Sequence, residues 1–404
     1  MKRTSLLSLP RGFDRNLKLL LFSMASRRIM MGFLQVVRVI YFSLLGFSPL
    51  TIGLILSFSS VVSALRHISF GVLSDRYGRK PFLLMGAVFS TSRLLIFATT
   101  RNFWLLTLGQ GLGAMGEGAG AGQPVVSGYI ADRVALKERV STFSTLAVTN
   151  AIAASIGSVI AGLPQMFQNL LGLDLLTAHI PLFWIGASFS ALSFILLLPI
   201  HDEAAEETKP KEDGRMFKVS SWSVIAKFSL VRSTSGLGWG LVESLLTLYF
   251  FMRFAVGSDV LGPLYAATRL ASIFTYLLIP AVVSRVGEIG TLTLSRLLSA
   301  TAIAALAFTN WYPLAAVLLI AFRILIMFPM PIRQSFATSI VDPDETATAI
   351  GIGNFARMGV RSIAPAFAGY MFEAASLSMP FLIGAVFMAL NGLLYHAYFR
   401  PEKK

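Results

Sequence analysis

The sequence predicts an all-helical integral membrane protein whose twelve transmembrane helices form two pseudo-symmetric six-helix bundles. Three observations predict this fold: an apolar composition, twelve apolar stretches of spanning length, and a repeat that relates the two halves. Of the 404 residues, 55% are hydrophobic and 13% are charged, and the mean hydropathy is +0.71. A soluble protein could not bury that much apolar surface, and a disordered chain would be far more polar.

Each helical crossing of a bilayer needs about 20 mainly apolar residues. No stretch alternates in the manner of a barrel strand, and open sheets cannot span lipid, so the predicted spans are helices. The twelve predicted spans lie at 17–45, 49–73, 81–100, 104–130, 141–164, 180–199, 222–253, 260–283, 288–308, 312–339, 344–370 and 379–399.

Polar segments divide these spans into two bundles. The stretch 200–221 is polar and mixed in charge, which predicts a cytoplasmic linker between six-helix bundles at 17–199 and 222–399. Residues 1–16 and 400–404 are predicted to be cytoplasmic tails. Lys and Arg in the tails and loops, with Lys18 and Arg253 at span ends, divide 19 to 2, which by the positive-inside rule predicts that both termini lie in the cytoplasm of a multi-pass cell-membrane protein.

The two halves resemble each other at corresponding places. Gly78 and Gly287 each follow the second span of their half and are 209 residues apart. Asp132 and Asp342 each follow the fourth span and are 210 apart. Two six-span halves in parallel orientation, with a site between them near the midplane, are typical of transporters.

The charges within the spans are unusual in number and sign. Apart from Lys18 and Arg253 at span ends, thirteen basic residues fall inside the predicted spans, but only two acids lie well inside them, Glu117 and Glu243. A charge at the bilayer centre costs at least about 2.5–3.5 kcal/mol on insertion scales, so such residues are functional candidates. We expect Arg93 and Arg296, on spans 3 and 9, to be structural. The substrate or coupling candidates are Arg28, Gln35, Glu117, Arg232, Glu243, Arg269, Arg323, Arg357 and Arg361.

This excess of guanidinium groups predicts the chemistry of the cargo. Two acids cannot neutralise so many arginines, whereas an anion in a water-filled cavity would lower their cost. We therefore expect a small anionic substrate. Glu117 and Glu243 are candidates for proton coupling, and a static Glu–Arg pair between helices is the alternative for each. Most of the formal charge of +14 lies inside the spans, which argues against a nucleic-acid surface.

The loop after span 2 carries the family resemblance. Residues 71–80, which we call the motif loop, have the sequence Gly-Val-Leu-Ser-Asp-Arg-Tyr-Gly-Arg-Lys. This resembles the signature G-x-L-x-D-R-x-G-R-[RK] of the major facilitator superfamily. The resemblance implies alternating-access transport, with a motif loop that biases the outward-open state through Gly71, Asp75, Arg76, Gly78, Arg79 and Lys80. We expect Arg76 or Arg79 to pair with Asp344 or Glu345 at the start of span 11.

Two departures argue against the drug–proton antiporters of that superfamily. Their basic residue in span 4 is replaced by Thr107, although Gln110 and Gly111 are present. Their G-P-x-x-G-G pattern in span 5 is replaced at 157–162 by a stretch without proline. An anion transporter is therefore the first hypothesis, and a proton-coupled multidrug or lipid efflux carrier is the alternative.

Other chemistries lack support in the sequence. The G-x-G-x-x-G match at 111–116 lies inside span 4, with no preceding strand, and no Gly-Lys dipeptide forms an ATP-binding loop. Cysteine is absent, and the four histidines lie without metal-ligand spacing. We expect no enzymatic activity, cofactor, metal, ATP or nucleic-acid partner. The expected partners are a small-molecule substrate and the lipid bilayer, with the chain as a monomer.

Overall fold

The computed structural model describes residues 14–113, 123–201, 221–275, 279–340 and 345–399. All regular secondary structure in these ranges is helical. The helices are α1 Arg15–Leu44, α2 Pro49–Tyr77, α3 Lys80–Thr99, α4 Phe103–Leu112, α5 Gln123–Arg133, α6 Leu136–Ile160, α7 Leu163–Leu171, α8 Leu175–Leu197, α9 Trp222–Glu243, α10 Leu246–Phe254, α11 Ser258–Thr275, α12 Ile279–Phe308, α13 Tyr312–Met327, α14 Met330–Ser339, α15 Thr346–Ala374 and α16 Met379–Phe399.

These helices account for the twelve predicted spans. Three spans are divided between consecutive helices with both parts described: span 5 into α6 and α7, span 7 into α9 and α10, and span 10 into α13 and α14. Span 4 is described as α4 and α5 on either side of 114–122. The tails and most of the linker lie outside the described residues, so the domain boundaries stay a prediction.

Eight of the described helical segments are long and apolar enough to cross a membrane. They correspond to spans 1, 2, 3, 5, 6, 9, 10 and 12. Spans 4 and 8 are described only in part, on either side of 114–122 and 276–278, and span 7 is divided between α9 and α10. Predicted site residues lie on these three spans and also on spans 1, 10 and 11.

Left-handed glycines mark the repeat. Gly78, after α2, has φ +87°, and Gly287 has φ +73° where α12 changes direction. Glycine adopts this conformation without the steric cost that a Cβ would bring. The same tight turn thus follows the second span of each half.

Close glycine contacts join the first and fifth spans of each half. In the first half, a Cβ on Gly157 of α6 would overlap the carbonyl oxygen of Ile29 on α1. In the second half, a Cβ on Gly236 of α9 would overlap the carbonyl oxygen of Arg357 on α15. Small residues allow helix backbones to approach where lipid supplies no hydrophobic drive for association.

The chain forms two compact units. Unit 1 comprises Met1–Arg38 and Val62–Pro210, and unit 2 comprises Val39–Val61 and Lys211–Lys404. Unit 1 has an apolar core of residues from α1, α3 and α5, such as Leu20, Leu83 and Ile130. A core of unit 2 includes Phe228 and Leu292.

Candidate functional site

Span 7 is interrupted beside one of the two predicted intramembrane acids. Helix α9 ends at Glu243, and α10 begins at Leu246. Leu245 between them has φ −115° and ψ 12°, outside the helical region. The interruption breaks the regular hydrogen-bond ladder of the span, so Glu243 lies at a helix end, where some backbone groups lack intrahelical partners.

Glu243 and Arg323 form an ion pair between two helices of unit 2. The Arg323 Nη2 atom lies 2.8 Å from Glu243 Oε1, and it donates a hydrogen bond to that oxygen. The two side chains are only 12% and 13% exposed. The pair links the end of α9 to the middle of α13, and it joins two residues that the sequence nominated separately. Breaking a buried pair leaves an uncompensated charge, so its two members act as one unit.

Aromatic rings surround the Arg323 guanidinium. The Tyr265 and Trp239 ring centroids lie 4.9 and 5.6 Å from its central carbon. The buried Tyr265 hydroxyl is 2.9 Å from Thr247 Oγ1, in the first turn of α10. The Phe322 ring stacks on Trp239. The faces of aromatic rings attract a cation, so Arg323 is stabilised by the rings as well as by Glu243.

Sequence reasoning missed Tyr265, Trp239 and Thr247. Their types gave a signal, because tyrosine and tryptophan buried in a span need partners for their polar atoms. Since the helices that carry them are distant in sequence from Arg323, the contact itself could not be predicted.

Arg232 and Arg357 are brought close by the packing of α9 on α15. Arg232 donates a hydrogen bond to Asn354 Oδ1, and Arg357 lies against Gly236, one turn further along α9. Arg361, one turn beyond Arg357, is exposed.

The candidates of spans 1 and 8 are carried by other helices. Arg28 and Gln35 are half-buried on α1, and Arg269 is half-buried on α11, four residues after Tyr265. Glu117 lies outside the described residues.

Backbone carbonyls hold two of the span arginines. Arg66 donates to the carbonyl oxygens of Gly111 and Leu112, where α4 ends, and Arg93 donates to that of Gly113 at 2.8 Å. Arg93 is 1% exposed. The C-terminal carbonyls of a helix lack intrahelical partners and carry partial negative charge, which suits a guanidinium. These two arginines thus cap the described end of α4.

The motif loop forms a charge network within unit 1. Arg79 pairs with Asp75, four residues earlier, and its Nε lies 3.3 Å from Oδ2 of Asp132, in the last turn of α5. A Cβ on Gly128 would overlap the guanidinium of Arg79. Arg76 lies over the ring of Tyr77. The network ties the loop after span 2 to the end of span 4.

The predicted partners of the motif loop at span 11 are only partly described. Asp344 lies outside the described residues. Glu345 accepts a hydrogen bond from the backbone N–H of Ser221 at 3.3 Å, within unit 2. The pairing of Arg76 or Arg79 with these acids stays a prediction.

Twelve spanning helices in two related halves, with buried charges within the spans and a charged loop after span 2, define a membrane transporter. The chain belongs to the Major Facilitator Superfamily, whose family model matches residues 19–365.

Relatives and solved structures agree with this assignment. The quinolone resistance protein NorA of Staphylococcus aureus is 22% identical, and the match covers 83% of this chain and 84% of NorA. The nucleoside transporter NupG has a similar fold, with a TM-score of 0.76, 16% identity, and coverage of 96% of this chain and all of NupG. The human organic anion transporter MFSD10 has a TM-score of 0.61 and 15% identity, with coverage of 96% and 100%. The solved structures support the fold alone.

Proposed function

We propose that the protein is a secondary active transporter that moves a small anionic solute by alternating access, driven by protons or by exchange. One observation carries the proposal: the spans hold many arginines, and Arg66, Arg93, Arg232 and Arg296 contact neutral groups among the described residues. Neutral acceptors satisfy hydrogen bonds but leave net positive charge, which an anionic solute would offset.

The Glu243–Arg323 pair is the proposed coupling element. A carboxylate in a low-dielectric site becomes easier to protonate when its cationic partner moves away. The interruption of span 7 at Glu243 gives the carboxylate a position at which the two half-helices α9 and α10 can move relative to each other. Protonation of Glu243 would release Arg323 to the substrate or to the surrounding rings. Glu117 keeps the coupling role that the sequence predicts for it in the other half.

Efflux of amphipathic drugs or lipids is the second candidate. The aromatic cluster of Trp239, Tyr265 and Phe322 beside Arg323 favours it, because ring faces suit flat or cationic molecules. The similarity to NorA also favours it. Neither observation accounts for the positive charge of the spans.

Flux in proteoliposomes tests the proposal. Purified protein would be reconstituted and assayed with radiolabelled phosphate, sulfate, succinate and lactate, and with tetraphenylphosphonium as the cationic drug probe, with and without a proton gradient. We expect saturable flux of at least one anion and none of tetraphenylphosphonium. Saturable tetraphenylphosphonium flux without any anion flux would favour the efflux function instead.

Variants then separate coupling from binding. Glu243→Gln should abolish gradient-driven accumulation and keep exchange of internal for external substrate, and Arg323→Lys should reduce both. The matched control is Glu288→Gln, an exposed acid at the start of span 9. Full, pH-insensitive accumulation by Glu243→Gln would contradict the coupling role.

A further inference from the structure

Four arginines of unit 2, each on a different helix, lie within electrostatic reach of one another. The charges of Arg333, Arg357 and Arg232 all act on Arg296. They belong to α14, α15, α9 and α12. Arg296 is 3% exposed, whereas the other three are half-buried. Arg296 therefore contributes positive charge from the packed interior, and a ligand could contact half-buried members such as Arg232 and Arg357.

Arg232 is held in place by neutral groups. It donates a hydrogen bond to the Asn354 side-chain oxygen and lies 5.6 Å from the Phe228 ring centroid. Gly353 leaves room for it, since a Cβ there would lie 2.7 Å from the Phe228 ring and 3.4 Å from Arg232 Cγ. The buried Arg232 Nε has no hydrogen-bond partner among the described residues. The Arg232 guanidinium is thus held in one orientation, and its Nε–H group is available to donate a hydrogen bond.

Arg296 and Arg357 lie next to the same stretch of α9. Arg296 donates to Ser235 Oγ at 3.1 Å, and its buried Nε has no hydrogen-bond partner in the described part of the chain. A Cβ on Gly236 would lie 3.1 Å from Arg357 Cγ, so the stem of Arg357 crosses α9 there. Residues 235 and 236 follow Arg232 by three and four positions, which brings these contacts to one face of α9.

The described hydrogen-bond acceptors of Arg232 and Arg296 carry no net charge. They are the Asn354 amide and the Ser235 hydroxyl. Like charges repel more strongly in a low-dielectric interior than in water. A ligand with more than one negative charge would convert this repulsion into attraction. The planar fork of a guanidinium matches the oxygens of a phosphate in pairs.

We infer that Arg232, Arg296 and Arg357, with Asn354, form a binding site for a phosphate-type oxyanion within unit 2. Arg232 is eleven residues before Glu243 on α9, which at 1.5 Å per residue is about 16 Å, so the site is separate from the Glu243–Arg323 pair. Only the role of the site rests on the proposed function, in which it would hold the charged end of the solute. The phosphate could belong to a free anion or to the headgroup of an anionic lipid.

Thermal unfolding in neutral detergent tests the site. The unfolding midpoint would be measured with increasing potassium phosphate against potassium chloride of equal ionic strength at pH 7.5. We expect a saturable rise with phosphate for the wild type, and no rise for Arg232→Gln or Arg357→Gln. The matched control is Arg253→Gln, because Arg253 is an exposed arginine that donates to Asn310 in the same way, and it should respond as the wild type does.

A second arm identifies the source of the phosphate. The same proteins would be placed in nanodiscs of phosphatidylcholine alone or with phosphatidylglycerol. If a lipid headgroup occupies the site, phosphatidylglycerol raises the midpoint of the wild type and of Arg253→Gln, but not of Arg232→Gln, and free phosphate has no effect in detergent. Either pattern supports the site. A wild type that responds no differently from Arg232→Gln and Arg357→Gln in both arms overturns it.

Asn354→Asp keeps the test decisive should the arginine variants fold poorly. This isosteric change supplies a carboxylate to Arg232, so the variant should unfold at a higher temperature than the wild type without phosphate and should lose the phosphate response. An unchanged phosphate response in Asn354→Asp would also overturn the inference. Because binding is measured without transport, anion flux without phosphate binding refutes this site alone. Phosphate binding without flux of any anion refutes the proposed function alone.

Discussion

The Arg66 guanidinium of α2 donates a hydrogen bond of 2.6 Å to the carbonyl oxygen of Leu112, the last residue of α4. It donates a second, of 3.2 Å, to Gly111. Its central carbon also lies 4.8 Å from the Phe89 ring centroid. A span arginine is thereby stabilised by a helix end and a ring face, without a carboxylate among these contacts.

Replacement of Arg66 by Met should lower the unfolding temperature of the purified protein. The two carbonyls would lose their charged donor, and a hydrogen bond to a charged group contributes about 1.5–3 kcal/mol. The unfolding midpoint of Arg66→Lys should fall between those of the wild type and Arg66→Met, because an ammonium lacks the planar fork that reaches both oxygens. Arg101→Met serves as the control, since Arg101 is exposed and donates to the Thr177 hydroxyl. Equal midpoints for Arg66→Met and the control would show that the cap contributes nothing.

The close packing of Gly157 in unit 1 predicts that a methyl group added there will lower stability, and a glycine on another helix provides the control. Gly157→Ala should destabilise the protein by roughly 1–3 kcal/mol, because the new methyl group would force α6 away from the Ile29 carbonyl on α1. Gly351→Ala on α15 meets open space, so it should leave stability unchanged or raise it by about 0.5–1 kcal/mol. Denaturation midpoints of the two variants would be compared, and a neutral Gly157→Ala would contradict the close approach.

Hydropathy and turn residues predicted the spans well, because lipid demands a long apolar helix and a left-handed turn favours glycine. The turn at Gly78 and its counterpart at Gly287 are examples. The break of span 7 was not predictable, since Ser244 and Leu245 are not helix breakers, whereas Pro329 does mark the break of span 10. Tertiary contacts therefore decide the conformation at the break of span 7.

The sequence shows how many arginines lie in the spans, but it does not show which groups stabilise them. Backbone carbonyls at helix ends leave no trace in a side-chain pattern, so the partners of Arg66 and Arg93 could not be predicted. Nor could Asn354 be assigned to Arg232, 122 residues away. For Glu243, the sequence predicted a static pair with an arginine of another helix only as an alternative to proton coupling, and it did not identify Arg323 as the partner.

The loop before α8 provides a pH prediction. Asp174 caps this helix, and hydrogen bonds from the Thr177 side chain and backbone N–H lower the pKa of its carboxyl below the usual 3.8. A carboxyl with a lowered folded pKa stabilises the protein fully above its unfolded pKa, and this contribution is lost as the pH falls through the folded pKa.

Asp174→Asn should therefore show a smaller loss of thermal stability than the wild type when the pH is lowered from 5 to below 4. The amide keeps an oxygen acceptor for the cap but does not titrate. Unfolding midpoints would be measured across this range, with Glu288→Gln as a variant of an exposed acid elsewhere. Parallel pH profiles for the wild type and Asp174→Asn would show that the Asp174 carboxyl does not contribute to the pH dependence of stability.

The Glu243–Arg323 pair predicts strong coupling in a double-mutant cycle. Glu243→Gln alone should destabilise the protein by about 3–5 kcal/mol, because the guanidinium of Arg323 would stay buried without its counter-charge. Adding Arg323→Met removes that stranded charge and fills the space between Trp239 and Tyr265 with an apolar side chain that packs well on rings. The double variant should therefore be more stable than Glu243→Gln. Chemical denaturation of the four proteins measures the interaction energy, and an additive result would mean that the two groups are not coupled.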